Sequence, residues 1–530
     1  MSQLFGVEKV IHHNNIIPKP QKFFTGNNQF ILTKQTRYFF DTSLSKNAIN
    51  YLQKHLKQNS GYPLQTGRSS KNNTIHFLYN SEKIHKSEAY RLHIEKDQIT
   101  IEARDQAGFF YAVVSLMQLM DASIWSQSDS NVGKKTWSIP SCTIEDHPRF
   151  IWRGMMLDTS RNFFSISYIK KFIDRMAQHK LNRFHWHLTD DEAWRIQIKQ
   201  YPLLTQIGAH RGPGTKLPFS TYPAMRGPKN KRQSGYYTQD EIKEVVAYAK
   251  ARSIEILPEI DIPGHAKAAI ISYPEFLQDP KDKSQYLSVQ KVSNNTINPG
   301  IESTYIFLEN IISEISELFP FGYIHLGGDE IPKGAWKRSP AVHKLMEEKG
   351  LKNTKEVQNY FFNRLDKILV KHDRKMIAWQ EVIQGKPKLR KENILMAWKS
   401  PKAGKTMIKK NLNVIMAPVQ YLYFDQQYTR NKKEPGHTWS TPVSTQKTYS
   451  FNVNNSPYIS GVQACLWSET LLTEKIADYL AWPRTFALAE VAWTEQKSRN
   501  WNEFQQRAST EGFKRLKAQG IHFRPIVPIR

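Results

Sequence analysis

A chain of 530 residues is too long for one ordinary hydrophobic core, so a large domain with a smaller companion is the expected plan. Hydrophobic residues at 39% and charged residues at 23%, without a long low-complexity tract, exclude a disordered or fibrous chain. The formal charge is +27, yet the basic runs at Lys229 to Arg232, Lys386 to Lys391 and Arg430 to Lys433 lack the interleaved aromatics of a nucleic-acid platform, so a solvated basic surface is expected and no nucleic-acid partner.

The N-terminus, Met1 to Lys9, has no apolar stretch of the secretory type, and no segment reaches the roughly eighteen apolar residues of a membrane helix. The compartment stays open: periplasmic or secreted if a signal was removed, otherwise cytoplasmic. Cys142 and Cys465 are the only cysteines, too few for a disulfide framework or a metal-type spacing.

Residues 1–147 read as a small α+β domain. A helix is expected over Leu44 to Leu56 and a strand over Thr74 to Tyr79, and two alternating segments flank Glu95-Lys96-Asp97 as a hairpin. Phe109, Val113, Leu116 and Met120 then recur at helical spacing, before a loop over Ser123 to Lys135. The boundary is expected near Asp146-His-Pro-Arg149, where Pro148 interrupts regular structure.

From 148 to 530 the pattern changes to short apolar strands alternating with amphipathic helices. Eight strands are expected: Trp152 to Asp158, Arg183 to Leu188, Ile254 to Ile260, Tyr323 to Leu326, Lys375 to Trp379, Ile394 to Trp398, Asn413 to Ala417 and Ile459 to Trp467. Ile169, Phe172, Ile173 and Met176 mark one helix, and Ile242, Val245, Val246 and Ala249 another. Thr238 and Glu241 open the second with a capping box. Eight such units predict an α/β fold, a (β/α)8 TIM barrel with a C-terminal helical segment, and place the active site beyond the strands' C-terminal ends. Chemically distinctive residues fall at those ends: Arg161, Asp190 and Asp191, His265, Asp329 and Glu330, Trp379, Trp398, Tyr423 and Asp425, Trp467 and Glu469.

The densest motif is Tyr323-Ile-His-Leu-Gly-Gly-Asp-Glu330. Two carboxyls forced together repel when both are ionised, which raises one pKa and suits it to acid catalysis. On its own, Gly-Gly-Asp-Glu fits an exposed acidic turn or a metal site equally well. Trp379, Trp398, Trp467 and Tyr423 supply flat apolar faces matched to a sugar ring and an N-acetyl methyl group, and Arg161, Asp425 and Glu469 supply directional polar groups. Singly, each such Trp fits a core position and each charged residue a surface salt bridge. A metal cluster of His185, His187, Asp190 and His265 is the competing chemistry, because His-x-His on a strand puts both rings on one face.

Taken in order, Asp158-Thr-Ser-Arg161, His185-Trp-His-Leu-Thr-Asp-Asp191, Pro258 to His265, His325 to Glu330, Trp379-Gln-Glu381, Ala397-Trp-Lys399, Tyr423-Phe-Asp425 and Ala464-Cys-Leu-Trp-Ser-Glu469 resemble the landmarks of the family-20 glycoside hydrolases, the β-N-acetylhexosaminidases. The resemblance spans nearly the whole chain. It implies exo-hydrolysis of terminal N-acetylhexosamines by a retaining mechanism in which the substrate's 2-acetamido oxygen is the nucleophile, without metal or cofactor. It further implies that Glu330 is the general acid and base, that Asp329 orients the acetamide, and that Tyr423 hydrogen-bonds its oxygen. Trp379 and Trp398 would box the acetamide, Trp467 would stack on the sugar, and Arg161, Asp425 and Glu469 would hold ring hydroxyls. Asp190 and His265 would support the acid pair, and Trp439 would shape the region beyond the first sugar. Where the family usually has Gln after the Asp-Asp pair, this chain has Glu192.

Overall fold

The computed structural model describes residues 14–67, 72–126, 136–217, 232–385, 388–431, 433–453 and 455–526. Residues 127–135 of the expected loop, and residues 229–231, 386–387 and 432 of the basic runs, lie outside the described residues. Among the described residues no helix is long and apolar enough to cross a membrane.

The first part of the chain builds a seven-stranded mixed sheet from β1 (Lys22–Leu32), β2 (Arg37–Phe40), β3 (Gln65–Thr66), β4 (Thr74–Tyr79), β5 (Tyr90–Ile94), β6 (Gln98–Ala103) and β7 (Trp137–Asp146), in the order β1-β7-β5-β6-β4-β2-β3. The strand Thr74–Tyr79 and the hairpin β5–β6 match expectation, and the first helix runs Lys46–Ser60. The long pair β1·β7 was not expected from the sequence. Gly26-Asn-Asn28 reads as a turn, but a register shift between Thr25 and Gln29 absorbs it as a bulge. Pro140 argues against a strand, but it lies beyond the stretch Cys142–Asp146 that pairs with β5, so no ladder bond is lost on that side. Helix Gln106–Gln118 packs on this sheet almost fully buried, with Asp105 capping it through Gly108 N.

The second part is a closed barrel of eight parallel strands: β8 (Trp152–Asp158), β9 (Arg183–His187), β12 (Glu255–Glu259), β13 (Tyr323–His325), β14 (Lys375–Trp379), β15 (Ile394–Ala397), β16 (Asn413–Met416) and β17 (Ile459–Leu466). A small hairpin, β10 (His210–Arg211) with β11 (Gln233–Ser234), sits outside it. The eight are the eight expected, several ending one residue earlier. They read as continuous apolar runs because helices cover one face and the bore the other; every residue of β8 is buried. The helix Ile166–Ala177 buries Ile169, Phe172, Ile173 and Met176, and the helix Gln239–Lys250 starts with the Thr238–Glu241 capping box.

The two parts meet at the barrel's N-terminal end. Lys180 Nζ, fully buried, lies 2.8 Å from Asp146 Oδ2 and donates to Tyr90 Oη at 2.8 Å. Arg153 reaches Glu88 Oε2 at 2.6 Å and Tyr111 Oη at 3.0 Å. The other end is left for chemistry.

Candidate active site

Beyond β13 the backbone turns sharply. Gly327 and Gly328 have φ of +64° and +100°, and Glu330 follows at +46°. A Cβ on Gly327 would lie 1.7 Å from Asp261 Oδ1, and one on Gly328 would lie 2.5 Å from Val382 Cγ2, so glycine is required for both conformation and space. The turn brings two consecutive carboxyls into one cleft. Asp329 is buried, whereas the Glu330 side chain keeps 25% of its surface open.

Beneath them lies His265, delivered by the loop after β12. Its Nδ1 is 3.0 Å from Asp190 Oδ1 and 3.9 Å from Asp191 Oδ2, so Asp190 is the partner that orients the ring. Its Nε2 faces Asp329 Oδ2 at 3.8 Å and Glu330 Oε2 at 3.7 Å. Burial alone would depress the His265 pKa, but the Asp190 and Asp329 carboxylates more than offset this and hold it well above the usual histidine range. Asp191 instead accepts Lys267 N at 3.0 Å and Asn295 Nδ2 at 2.8 Å, which anchors the His265 loop. Asp329 itself is pushed up to about 7 by burial, with the neighbouring Glu330, Glu381 and Glu259 charges adding to the rise and His265 opposing it.

An aromatic wall rises beside the acid pair. Trp398 and Tyr423 stack with centroids 6.0 Å apart at 19°, Tyr423 lies 6.3 Å from Trp467, and Trp467 lies 5.9 Å from Trp379. Trp439, 54% exposed, meets Tyr423 edge-on at 6.3 Å. Two of these indoles are each held by a carboxylate: Trp379 Nε1 donates to Glu259 Oε1 at 2.9 Å, and Trp398 Nε1 donates to Glu381.

A charged end closes the cleft. Arg161 lies 2.6 Å from Asp190, 3.0 Å from Glu192 and 3.4 Å from Asp158, with its guanidinium 5.1 Å over the Trp467 ring. Glu192 is thus a buried partner of Arg161; burial pushes its carboxyl up to about 7 despite that cation. Glu469 lies 3.5 Å from His437. Burial would raise Glu469, but Arg161 and His437 pull it down to about 2. Burial pushes nearby Asp425 up to about 7, helped by Glu469. Asp329 Oδ1, His265 Nε2 and Asp425 Oδ1 are buried with no hydrogen-bond partner. Such groups are costly unless something polar meets them, which suits a ligand rich in hydroxyl and amide groups.

The residues of the metal alternative divide between neighbouring clusters. His185 gathers with Glu259 and His325, whereas His265 gathers with Asp190 and Asp191. At the first, fully buried Glu259 ends β12 inside the bore. Its Oε2 accepts from His187 Nδ1 and faces His185 Nε2 at 3.0 Å. Nδ1 of His325 accepts Gly327 N at 3.1 Å and lies 2.7 Å from Glu259 Oε1. Burial would raise Glu259, but the three imidazoles hold it well below the usual carboxylate range.

The sequence matches the family models described as "Glycosyl hydrolase family 20, catalytic domain" over residues 150–496 and "Glycosyl hydrolase family 20, domain 2" over residues 13–147. The chain belongs to glycosyl hydrolase family 20. It is therefore an enzyme of the glycoside hydrolase class. A beta-hexosaminidase of Vibrio furnissii is 34% identical over 483 residues, covering 90% of this chain and 76% of that protein. One from Porphyromonas gingivalis is 33% identical, covering 97% of this chain and 65% of its own length. Among solved structures, an exo beta-N-acetylglucosaminidase from Vibrio harveyi in complex with N-acetylglucosamine superposes with a TM-score of 0.89 at 35% identity, over 97% of this chain and 78% of that one. A beta-N-acetylhexosaminidase from Bacteroides fragilis gives 0.81 at 31% identity, over 97% of both.

The barrel of this family-20 chain brings every expected site residue into one contiguous network. Sequence reading missed Glu259, Glu381, Asp261 and His437 as parts of it. Glu259 and Asp261 carried a signal, since acidic residues punctuate an otherwise apolar strand end in Leu257-Pro-Glu-Ile-Asp261. His437 carried none; only the loop after β16 brings it to Glu469.

Proposed function

We propose that the protein is an exo-β-N-acetylhexosaminidase that removes terminal non-reducing N-acetyl-D-hexosamine residues with retention of configuration, using the substrate's own acetamide as nucleophile. The observation that carries this reading is the asymmetry of the acid pair. Glu330 is open on one side, where a leaving group departs and water arrives. Asp329 is buried beside the Trp379, Trp398 and Tyr423 wall with Oδ1 unpaired, suited to an amide N–H rather than to attack on C1.

In the first step the acetamide oxygen attacks C1, the C1–O bond to the leaving group breaks, and the Glu330 proton passes to the departing oxygen. Asp329 accepts the acetamide N–H and balances the positive charge of the oxazolinium ring, while Tyr423 Oη donates to the acetamide oxygen. In the second step water adds to C1 from the vacated side, gives its proton to Glu330, and the ring opens to restore the acetamide. Because the nucleophile is built into the substrate, no encounter entropy opposes its attack. Asp425, Glu469 and Arg161 accept and donate to ring hydroxyls, and Trp467 offers its face to the sugar's C–H surface.

The test is turnover of 4-nitrophenyl N-acetyl-β-glucosaminide beside the matching β-glucoside. Cleavage of the first alone is expected. Equal cleavage of both would overturn the substrate-assisted reading, and binding of N-acetylglucosamine without any turnover above a Glu330→Gln control would make the protein a sugar-binding module.

A further inference from the structure

We infer that Glu259 is a positioning residue that locks the Trp379 side of the acetamide pocket to the support of the catalytic acids. The inference rests on the function proposed above. Glu259 touches no point at which substrate would bind; it acts through others. One oxygen accepts Trp379 Nε1 at 2.9 Å and faces His325 Nδ1 at 2.7 Å. The other accepts His187 Nδ1, whose Nε2 lies 3.1 Å from Asp190 Oδ2. Asp190 holds His265 at 3.0 Å, and His265 underlies Asp329 and Glu330. An unbroken chain of polar contacts, Trp379–Glu259–His187–Asp190–His265, therefore joins the wall that would press the acetamide toward C1 to the groups that manage the proton and the charge.

The chemistry of the partners makes the carboxylate hard to replace. Trp379 Nε1 and His187 Nδ1 donate to it, and His185 Nε2 and His325 Nδ1 lie 3.0 and 2.7 Å from its oxygens. His185 Nδ1 is taken by Gln463 Nε2 at 2.9 Å, which leaves its proton on the Nε2 that faces Glu259. His187 lies between two carboxylates, and although burial would depress its pKa, Glu259 and Asp190 hold it well above the usual histidine range, so it donates at both ends. A buried ionic cluster is a poor source of stability compared with apolar packing. Its partners here are the site's own residues, which points to alignment as its use. An amide at position 259 keeps the volume but presents one N–H2 to donors, so at least one link of the chain opens.

The experiment compares wild type with Glu259→Gln and with Trp379→Phe, which removes the indole N–H with the five-membered ring that carries it and keeps a phenyl face. Three quantities are measured: kcat and KM on 4-nitrophenyl N-acetyl-β-glucosaminide, the Kd for N-acetylglucosamine, and the Kd for a bicyclic thiazoline that mimics the cyclised intermediate. A misplacement of about 1 Å costs roughly 100-fold in rate. Glu259→Gln is therefore expected to lower kcat about 100-fold and weaken the thiazoline by a similar factor, with KM and the N-acetylglucosamine Kd within about threefold of wild type. Trp379→Phe should show the same split, and it decides the matter if Glu259→Gln does not fold. Unchanged thiazoline affinity in the variants, or equal loss of both ligands, would overturn the inference. A wild-type enzyme indifferent to the acetamide would remove the proposed function as well, and is recognised by its cleavage of the plain glucoside.

Discussion

Trp398 Nε1 sits between the two oxygens of Glu381, at 3.1 and 3.0 Å, and Lys399 Nζ closes on the same carboxylate at 2.7 Å. A rim residue thus fixes the angle of one pocket wall. Glu381→Ala leaves the indole N–H without its partner, at a cost of about 1–3 kcal/mol, and is expected to raise KM for the N-acetyl substrate by roughly tenfold. Glu381→Gln keeps an acceptor and should recover most of the loss. Steady-state kinetics of the two variants check this.

In the proposed mechanism, Glu330→Gln removes the proton that leaves with the aglycone. General acid catalysis contributes about 10²–10⁴-fold, so kcat is expected to fall within that range on a chitooligosaccharide. The fall should be smaller on a substrate whose phenolic leaving group needs little protonation. The measurement is kcat across a series of substituted phenyl N-acetylglucosaminides, and a uniform loss across the series would contradict the acid role.

In the proposed mechanism Asp329 is ionised when it accepts the acetamide N–H, and burial with neighbouring charge pushes its pKa up to about 7. Protonation as pH falls removes the acceptor, so kcat/KM should decline on the acid side with a midpoint near 7. Asp329→Asn should abolish that limb together with most of the activity. An acid limb that survives in Asp329→Asn would assign the ionisation elsewhere.

Gly327→Ala should damage the fold before the chemistry, because the added methyl would sit 1.7 Å from Asp261 Oδ1 at a φ of +64°. A clash and a left-handed strain together are expected to cost about 2–4 kcal/mol. A lowered denaturant midpoint with an unchanged slope would report it.

Lys180→Met removes one partner of the fully buried pair with Asp146, leaving an uncompensated charge. The expected loss is about 3–5 kcal/mol, read as a lower Tm. Loss of the pair from the far end of the barrel should leave KM of the remaining folded enzyme within about twofold of wild type.

The barrel was legible because each strand is a short apolar run, and the chemically distinctive residues follow the strand ends. Trp152–Asp158 and Lys375–Trp379 agree with expectation residue for residue. The strands Lys22–Leu32 and Trp137–Asp146 were not legible, because a bulge and a proline imitate breaks that only pairing with each other resolves. Asp190, Asp329 and Glu330 stood out by local motif. His437 did not, and the acidic signal at Glu259 gave no role, since its meaning lies in partners far along the chain: Trp379 is 120 residues from Glu259.

The seam between sheet and barrel has a consequence for how this enzyme tolerates change. Arg153, Lys180 and Asn182 fasten the companion sheet to the beginnings of β8 and β9, while Asp158 and His187, at the other ends of those strands, face toward Arg161 and Asp190. Each strand therefore carries durability at its root and turnover at its tip. Heat resistance is accordingly open to selection or engineering at the root, independently of the bond the enzyme cuts.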